Sequence, residues 1–361
     1  MHALALEKPD GRALTLYARQ ALARDLAAPS PSAEPVAAHP HLRWHPLREE
    51  WVTYAAFRQD RTFLPPPEYN PFAPTRPGGM QTEVPAGEWD IAVFDNRFPA
   101  LALGAREAPS LRVPTRPANG KCEVVVFSQD PQSSLATLPL WHVELLLEVW
   151  ADRTARLGAL EEIRYVLPFE NRGAEVGVTL HHPHGQIYAY PVVPPVPERM
   201  QQAARRHHAE HGVGVLAQLI ADELEAGTRI LYRGRHAVAF VPVCARYPYE
   251  VWVAPIEPVP TFVALDAAVR LDLARALKTV LLKYEGLWQR PFPYLMAWYQ
   301  APTDGAAHPE AHLHAELYPP YRTPTKLKYL AGTEIAAGLF AMDALPEDKA
   351  RDLQAVEVTL A

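Results

Sequence analysis

The chemistry most evident in the sequence lies in five consecutive residues, His182, Pro183, His184, Gly185 and Gln186. Residues two apart on an extended strand share one face, so we expect His182, His184 and Gln186 to point the same way. Pro183 favours extended geometry at the residue before it. Gly185 allows a ligand or another backbone segment to approach closely. The segment therefore predicts two imidazoles and one carboxamide on a common surface.

A neutral imidazole is a competent nucleophile near neutral pH, which suits His184 for attack on phosphorus. The nitrogen that faces the ligand needs a lone pair, so the other must carry the proton and donate it to an acceptor, often a backbone carbonyl. Gln186 offers an amide to a phosphate oxygen but cannot act as a general base for water. We predict that His184 receives a nucleotidyl group during transfer rather than hydrolysis, with His182 and Gln186 assisting.

A bare His-x-His pair is more often a structural cluster or a metal site. Here the five residues occur in order, and Asn171, Arg172 and Gly173 precede them with amide and backbone donors suited to a phosphate. Thr179 adds a hydroxyl between the two groups. This combination favours the nucleophile interpretation.

The elements that would position these residues alternate between short strands and long helices. The predicted strands are Glu50–Ala55, Asp90–Phe94, Glu123–Phe127, Ile163–Leu167, Gln186–Tyr190, Arg229–Tyr232, Ala237–Val241, Glu250–Ala254, Tyr294–Tyr299 and His312–Leu317. The predicted helices are Leu140–Leu157, Glu198–Glu225 with a break near Gly212, Asp266–Leu287, and a last one from Glu347.

The two halves of the chain repeat this order, and each ends in an alternating histidine segment. The second copy reads His312-Leu-His314-Ala-Glu316. The repeat predicts an α+β protein of two tandem histidine-triad-like modules, with mainly antiparallel sheet flanked by helices. We assign residues 1–42 to an N-terminal arm, 43–196 to the module with the nucleophile, and 197–361 to the second module.

Composition excludes several classes of protein. The net charge of −6 argues against a general binder of nucleic acid or of a membrane surface. Only two cysteines occur, Cys122 and Cys244, and they form no Cys-x-x-Cys pair, which favours a reducing compartment. No apolar run approaches the roughly 20 residues of a membrane span. We expect a cytoplasmic protein.

Taken together, the motifs resemble the galactose-1-phosphate uridylyltransferase family of the histidine triad superfamily. The similarity runs from about Arg43 to about Gly338. The segments that carry it are Leu42–Val52, Asp95–Pro99, Phe169–Gly173, His182–Tyr188, Tyr318–Pro320 and Thr325–Glu334.

The resemblance implies a two-step exchange. His184 would attack the α-phosphorus of UDP-glucose and release glucose 1-phosphate, and galactose 1-phosphate would then take the uridylyl group. The residues implied for nucleotide and phosphate binding are Arg58, Arg61, Phe94, Asn96, Arg97, Phe98, Val124, Asn171 and Thr179. Those implied for sugar binding are Lys328, Tyr329, Ala331, Thr333 and Glu334. A homodimer is also implied, in which different subunits supply parts of these two sets.

The family's metal ligands are mostly missing from this sequence. The zinc-binding cysteine pair falls on Asn70 and Ala73, and a later histidine falls on Pro131, which leaves His182 alone. Structural zinc is bound by four ligands, so we predict that no zinc binds at His182. The family's iron ligands fall on Met200, Tyr299, His314 and Glu316. We expect no iron there, although His312, His314 and Glu316 share a strand face on which a metal can bind adventitiously.

Other interpretations remain open at this stage. A nucleotidyl phosphorylase or adenylyltransferase of the same superfamily would use the same histidine with another base or acceptor, and a lapsed nucleotide-binding module would use none. Arg58 and Arg61 fit ordinary surface charges, and Asn96 fits the start of a turn. Lys328 and Glu334 fit solvated loop charges.

Overall fold

The computed structural model of the protein describes residues 1–60 and 69–360. The strands within them are β1 (His2–Glu7), β2 (Ala13–Ala18), β3 (His41–His45), β4 (Glu50–Tyr54), β5 (Ile91–Asp95), β6 (Thr115–Pro117), β7 (Lys121–Val126), β8 (Tyr165–Arg172), β9 (His184–Tyr190), β10 (Ile230–Arg233), β11 (Ala237–Phe240), β12 (Val251–Pro255), β13 (Tyr294–Tyr299), β14 (His314–Tyr318), β15 (Tyr321–Thr323) and β16 (Lys326–Leu327). The α-helices are α1 (Leu140–Gly158), α2 (Pro195–His211), α3 (Val215–Ala226), α4 (Ala267–Leu287) and α5 (Pro346–Gln354). Short 3₁₀ turns occupy Ala56–Asp60, Ala174–Val176 and Phe262–Ala264, and a π-helical turn occupies Gly332–Ala337.

One sheet of eleven strands organises the molecule. Its order is β1-β2-β5-β7-β9-β8-β13-β14-β12-β11-β10, and neighbouring strands pair antiparallel. The two halves meet where β8 pairs with β13. Phe169 pairs with Ala297 at this junction. Phe169 also pairs with Gln186, and Ala297 pairs with Glu316, so an approximate twofold axis relates the two histidine segments. The predicted α+β fold with a duplicated antiparallel module is confirmed.

The helices α1 and α4 pack side by side on one face of the sheet. Large fully buried side chains such as Trp150 and Trp298 fill the layer between them. Asp266 begins α4 by accepting a hydrogen bond from the Val269 N–H at 2.8 Å. Because the helices cover this face, a ligand can reach the sheet only from the opposite face. In the second half, helix α3 covers part of that opposite face through Ile220.

The assignment of residues 1–42 to an arm is wrong for the first eighteen residues. Strands β1 and β2 form a hairpin that extends the main sheet beside β5, and Leu14 and Leu16 are fully buried. The turn between them contains Asp10 and Gly11, with Gly11 at φ 79°. Asp-Gly between alternating apolar residues is a strong hairpin signal, and it was present in the sequence. Residues 19–40 form no helix or strand, as expected of an irregular segment.

Predicted and observed elements otherwise agree closely at the site. Strand β9 begins at His184 rather than at Gln186, and β8 continues to Arg172 instead of ending at Leu167. The long helix predicted from Glu198 is two helices, α2 and α3, separated at Gly212, which has φ 73°. None of the described helices combines the length and apolar character needed to cross a membrane.

Candidate active site

The site centres on His184, at the first residue of β9. Its Nδ1–H donates to the carbonyl oxygen of His182 at 2.8 Å. A carbonyl can only accept, so the proton of the neutral ring resides on Nδ1 and the lone pair on Nε2. Among the described residues, none forms a hydrogen bond to Nε2. His184 and Gln186 line one cavity together, which places them on a common face as the strand pattern predicts.

Burial keeps the nucleophile neutral. Desolvation lowers the pKa of His184 to about 4, and the hydrogen bond to His182 opposes this only partly. The ring of Phe72 packs edge-on against His184, with ring centroids 4.9 Å apart. At neutral pH, His184 therefore presents an uncharged imidazole with a free lone pair.

His182 lies just before the strand, and its own ring is buried at 3% exposure. Its Nε2–H donates to the carbonyl oxygen of Ser128 at 2.7 Å, and its Nδ1 accepts from Nδ2 of Asn70 at 2.9 Å. Burial lowers the pKa of His182, so this ring is neutral as well. His182 therefore acts in this structure through its carbonyl, while its ring is anchored. Sequence reasoning placed Asn70 only at a lost metal position and missed this contact.

A cavity of about 400 Å³ opens beside His184, and most of the predicted nucleotide-binding residues line it. The predicted residues that it brings together are Phe94, Asn96, Arg97, Phe98, Val124, Thr179, His184 and Gln186. They come from β5 and the turn after it, from β7, from the loop before β9, and from β9 itself. The apolar side chains of Phe94 and Val124 can contact a flat base, while the polar ones surround His184.

A second cavity of about 340 Å³ lies on the other side of His184. Asn171, His182 and Arg172 line it. The Asn171 Oδ1 atom is buried and has no hydrogen-bond partner among the described residues. Rotating this carboxamide by 180° would present its NH₂ group at the same place, ready to donate to a phosphate oxygen. Asn171 is therefore suited to the phosphate role that the sequence predicts.

Two of the charged side chains that line this second cavity are Arg172 and Glu170, and the sequence prediction used neither of their charges. Arg172 pairs with Glu285 and adds a positive charge near His184. Glu170 is buried, which raises its pKa to about 7, while Arg172 opposes the rise. The hydroxyl of Tyr294 donates to Glu170 at 2.8 Å. Both residues lie within the segment Phe169–Gly173 that carries the family resemblance, so their position in sequence was a usable signal.

Arg58 and Asn96 both form hydrogen bonds to Phe98 in the turn that follows β5, Asn96–Pro99, which we call the nucleotide turn. Arg58 donates to the carbonyl oxygen of Phe98 at 2.6 Å and does not line the cavity. Asn96 Oδ1 accepts from the Phe98 N–H at 2.8 Å, so it does start a turn while also lining the cavity. Arg61, predicted as the second member of the basic pair, lies outside the described residues.

The N-terminal hairpin supports the base side of the cavity. Lys8 is 2% exposed, and its ammonium lies 4.9 Å from the ring centroid of Phe94. It pairs with Glu83 at 2.5 Å, and Arg12 pairs with the same carboxylate at 2.8 Å. Arg12 also donates to the carbonyl oxygen of Asp95 at 2.9 Å, directly before the nucleotide turn. These residues lie in the segment that was assigned to an arm, so sequence reasoning missed them.

Gly185 allows the close approach of another backbone segment, which is one of the two roles predicted for it. A Cβ atom there would lie 2.7 Å from the ring of Phe127 and 2.8 Å from the carbonyl oxygen of Phe169. The close neighbours are therefore core groups on the opposite face from His184, not a ligand. The glycine lets β9 lie against the core while its histidine faces the cavity.

The predicted sugar-binding segment directly follows the β15–β16 hairpin, whose Tyr321 hydroxyl donates to Glu175 in the lining of the second cavity. Lys328, Tyr329, Ala331, Thr333 and Glu334 do not line either cavity at His184. Lys328 is buried and donates to the carbonyl oxygen of Ala341 at 2.6 Å. Hydrogen bonds from its own backbone and from Ala331 lower the pKa of Glu334 to about 2. Tyr329 is 73% exposed, and Ile335 and Leu339 are similarly exposed.

The second histidine segment repeats the geometry of the first and also borders a cavity, of about 410 Å³, but a buried carboxylate forms part of its lining. His314 Nδ1 donates to the carbonyl oxygen of His312 at 2.8 Å. Glu316 takes the position of Gln186, and Arg246 donates to it at 2.8 Å. Trp252 pairs with Glu316, as Val124 pairs with Gln186. The second copy therefore has a paired carboxylate and a tryptophan where the first has a neutral carboxamide and a valine.

The donor set around His182 does not fit structural zinc. Both ring nitrogens are engaged, by Asn70 and by Ser128, while Ala73 and Pro131 carry no donor atoms in their side chains. Within residues 1–60 and 69–360, no group of three or more histidine, cysteine, aspartate or glutamate side chains is arranged to hold a metal ion.

The duplicated antiparallel fold and the histidine strand define the class of the protein as a two-module α+β fold with one candidate imidazole nucleophile. Comparison with known proteins narrows this class. The model of the galactose-1-phosphate uridyl transferase N-terminal domain matches residues 32–194, and that of the C-terminal domain matches residues 200–359. The chain therefore belongs to the galactose-1-phosphate uridyl transferase family.

Individual relatives agree with this assignment. The chain is 36% identical to a galactose-1-phosphate uridylyltransferase of Thermotoga maritima over 326 residues, covering 88% of this chain and 99% of the relative. It is 35% identical to one of Streptomyces lividans, covering 86% of both proteins. A solved uridylyltransferase structure superposes with a TM-score of 0.79 at 31% identity, covering 87% of this chain and 97% of that one.

Proposed function

We propose that this protein exchanges a uridylyl group between UDP-glucose and galactose 1-phosphate through a covalent intermediate on His184. The observation that carries the proposal is the hydrogen bond from His184 Nδ1 to the His182 carbonyl, which leaves Nε2 with its lone pair beside two adjoining cavities. Relatives at 35–36% identity over most of the chain carry the name of this activity.

In the first step, Nε2 of His184 attacks the α-phosphorus of UDP-glucose. The bond from that phosphorus to the bridging oxygen breaks, and glucose 1-phosphate leaves with the electron pair. The ring becomes cationic as the N–P bond forms, and the His182 carbonyl stabilises that charge through the Nδ1–H. In the second step, a phosphate oxygen of galactose 1-phosphate attacks the same phosphorus, and the N–P bond breaks to restore neutral His184.

The remaining groups have supporting roles in this proposal. Gln186 and Asn171 donate to nonbridging phosphate oxygens, and Arg172 offsets their negative charge. Phe94 and Val124 contact the uracil, and Asn96 and the turn after it contact the ribose. No metal takes part, since His182 is held by a carboxamide and a carbonyl instead.

The proposal includes a homodimer in which the partner completes the sugar subsite. The residues from Lys328 to Glu334 do not line the cavities at His184 in one chain, and large apolar side chains in and just after this segment are exposed, among them Tyr329 and Leu339. Such exposure is typical of an interaction surface. We also place the protein in the cytoplasm, which is supported by its two free cysteines, Cys122 and Cys244.

Complementation between inactive variants tests the shared site. We expect His184→Ala and Tyr329→Ala each to be inactive or strongly impaired as homodimers. Co-expressed, they would form hybrids in which one site combines an intact His184 with an intact Tyr329 from the other chain, and activity would return. Failure of the hybrid to regain activity would assign the segment to the same chain as His184, or to no role.

Product analysis tests the reaction itself. Purified protein incubated with UDP-glucose and galactose 1-phosphate is expected to form UDP-galactose and glucose 1-phosphate in equal amounts, whereas His184→Ala forms neither. ADP-glucose with inorganic phosphate serves as the comparison. Efficient release of ADP from that pair, with no exchange on UDP-glucose, would replace this proposal with a phosphorylase, and no turnover of either would indicate a binding module.

A further inference from the structure

We propose that Asn70 is a positioning residue for the nucleophile and acts on His184 through His182. The inference rests on the proposed function for its catalytic consequence, but the contact itself can be measured independently. Asn70 does not touch either cavity at His184 and is not expected to contact substrate.

The hydrogen-bond partners of the His182 ring, Ser128 and Asn70, determine which of its two nitrogens carries the proton. Ser128 offers a carbonyl to His182 Nε2, so that nitrogen must carry the proton. His182 Nδ1 then bears a lone pair inside a buried site, where an unpaired polar atom is costly. Asn70 Nδ2 supplies the matching donor at 2.9 Å.

The orientation of the Asn70 carboxamide is also fixed by its neighbours. Its Oδ1 accepts from the Phe72 N–H at 3.0 Å, and a backbone N–H can only donate. The oxygen is therefore on the Phe72 side, and the NH₂ group faces His182. Because Phe72 also packs on the His184 ring, one short turn contacts both histidines.

The consequence for His184 is geometric. The carbonyl of His182 receives the His184 Nδ1–H, so any rotation of His182 moves the acceptor that fixes the nucleophile's tautomer. Asn70 and Ser128 hold the His182 ring from its two nitrogens. Together they restrict His182, and through it they hold Nε2 of His184 towards the cavity.

The second histidine segment provides an internal comparison. His312 Nε2 donates to the carbonyl oxygen of Pro255 at 2.8 Å, and His314 donates to His312, as in the first half. However, His312 Nδ1 is buried and has no hydrogen-bond partner among the described residues. The side-chain donor to the first histidine is thus a feature of the half that carries the nucleophile.

Two substitutions separate positioning from general packing. Asn70→Asp preserves the oxygen that accepts from Phe72 but replaces the donor to His182 with a second acceptor, and Asn70→Ala removes both. Loss of a group that orients a reacting imidazole commonly costs about 10- to 100-fold in rate. We expect kcat to fall at least about tenfold in both variants, while KM for either substrate changes less than about twofold. Asn119→Asp is the matched control, because it makes the same amide-to-carboxylate change two residues before β7 begins at Lys121. We expect wild-type kcat in this variant.

Wild-type kcat in both Asn70 variants would overturn the proposal, and so would an equal loss of kcat in Asn119→Asp. A rise in KM with unchanged kcat would overturn it too, because that pattern indicates substrate binding. The thermal midpoint of each variant is measured alongside, and a loss of kcat that only follows the loss of folded protein counts against positioning.

Nitrogen-15 NMR of histidine-labelled wild-type protein keeps the test independent of how the variants fold. We expect the proton on Nε2 of His182 and on Nδ1 of His184, and a coupling between the Asn70 amide protons and His182 Nδ1. A proton on His182 Nδ1 would overturn the proposal whatever the kinetics show. If the wild-type protein transferred no uridylyl group, the same spectra would still report whether Asn70 holds His182.

Discussion

Nδ1 of His184 lies 2.8 Å from the carbonyl oxygen of His182, so the backbone of one histidine determines where the proton of the other resides. The same distance separates His314 Nδ1 from the carbonyl of His312. Geometry that prepares a nucleophile is thus present twice, and the surroundings decide which copy can act. Both copies border cavities, but the neutral Gln186 of the first half is replaced in the second by Glu316, whose charge is paired with Arg246.

Exchanging the residue types at the two equivalent positions tests this contrast. Gln186→Glu places a carboxylate where a phosphate must bind, and like charges brought together cost several kcal/mol. We expect kcat/KM to fall by about 100-fold or more, measured by UDP-galactose formation. The reverse change, Glu316→Gln, should leave kcat/KM within about twofold while lowering the thermal midpoint, because Arg246 loses the nearer of its two carboxylate partners and keeps only Glu250. Near-wild-type turnover in Gln186→Glu would mean that Gln186 does not contact phosphate.

The pH dependence of the first half-reaction tests the state of the nucleophile. Burial lowers the pKa of His184 to about 4, so the neutral ring persists well below the ordinary histidine value of about 6.5. Between about pH 5 and pH 6.5, where Glu170 with its pKa of about 7 remains protonated, we expect a nearly constant rate of adduct formation in rapid-quench measurements. A decline with an apparent pKa near 6.5 would show that His184 titrates like an exposed histidine.

The buried ion pair beneath Phe94 should contribute to stability. Lys8→Met leaves Glu83 with only Arg12, and breaking a buried pair typically costs about 3 kcal/mol or more. Urea unfolding is expected to show that loss, together with a higher KM for UDP-glucose because the Phe94 ring loses its support. Lys349→Met is the matched control, since Lys349 pairs with the well-exposed Asp352, and it should cost less than about 1 kcal/mol. Equal losses in the two variants would contradict a special role for the Lys8 network.

Metal removal tests the interpretation of the His182 surroundings. Because a carboxamide and a carbonyl occupy both nitrogens of that ring, we expect prolonged dialysis against EDTA to leave kcat and the thermal midpoint unchanged. Elemental analysis of the purified protein should find zinc and iron far below one atom per chain. Stoichiometric zinc, released together with activity, would contradict the hydrogen-bonded arrangement of Asn70.

Much of the site could be predicted because its residues follow a local pattern. His184 and Gln186 alternate on one strand, and the strand period alone places them on a common face. The carbonyl acceptor for Nδ1 follows from the chemistry of a neutral imidazole, although its identity as His182 needed the structure. The duplicated sheet was predictable because both halves repeat the same order of elements.

The parts that were missed depend on contacts distant in sequence. Asn70 and His182 are 112 residues apart, and no periodicity links them. Lys8 reaches Glu83 across 75 residues, from a hairpin whose Asp10-Gly11 turn was overlooked. Gly185 was predicted to admit a ligand or another backbone segment, and only the structure shows that the Phe169 carbonyl and the Phe127 ring fill that space, because the strand pattern does not reveal what packs on its buried face. That Tyr329 does not line the cavities at His184 likewise depends on the tertiary fold.

The most direct test of the account is mass spectrometry of protein incubated with UDP-glucose alone. A covalent intermediate predicts one added uridylyl group per chain, mapped to His184, stable to alkali and discharged by galactose 1-phosphate to give UDP-galactose. His184→Ala should remain unmodified. Turnover of UDP-glucose without any such adduct, or an adduct on another residue, would contradict the claim that His184 is the nucleophile.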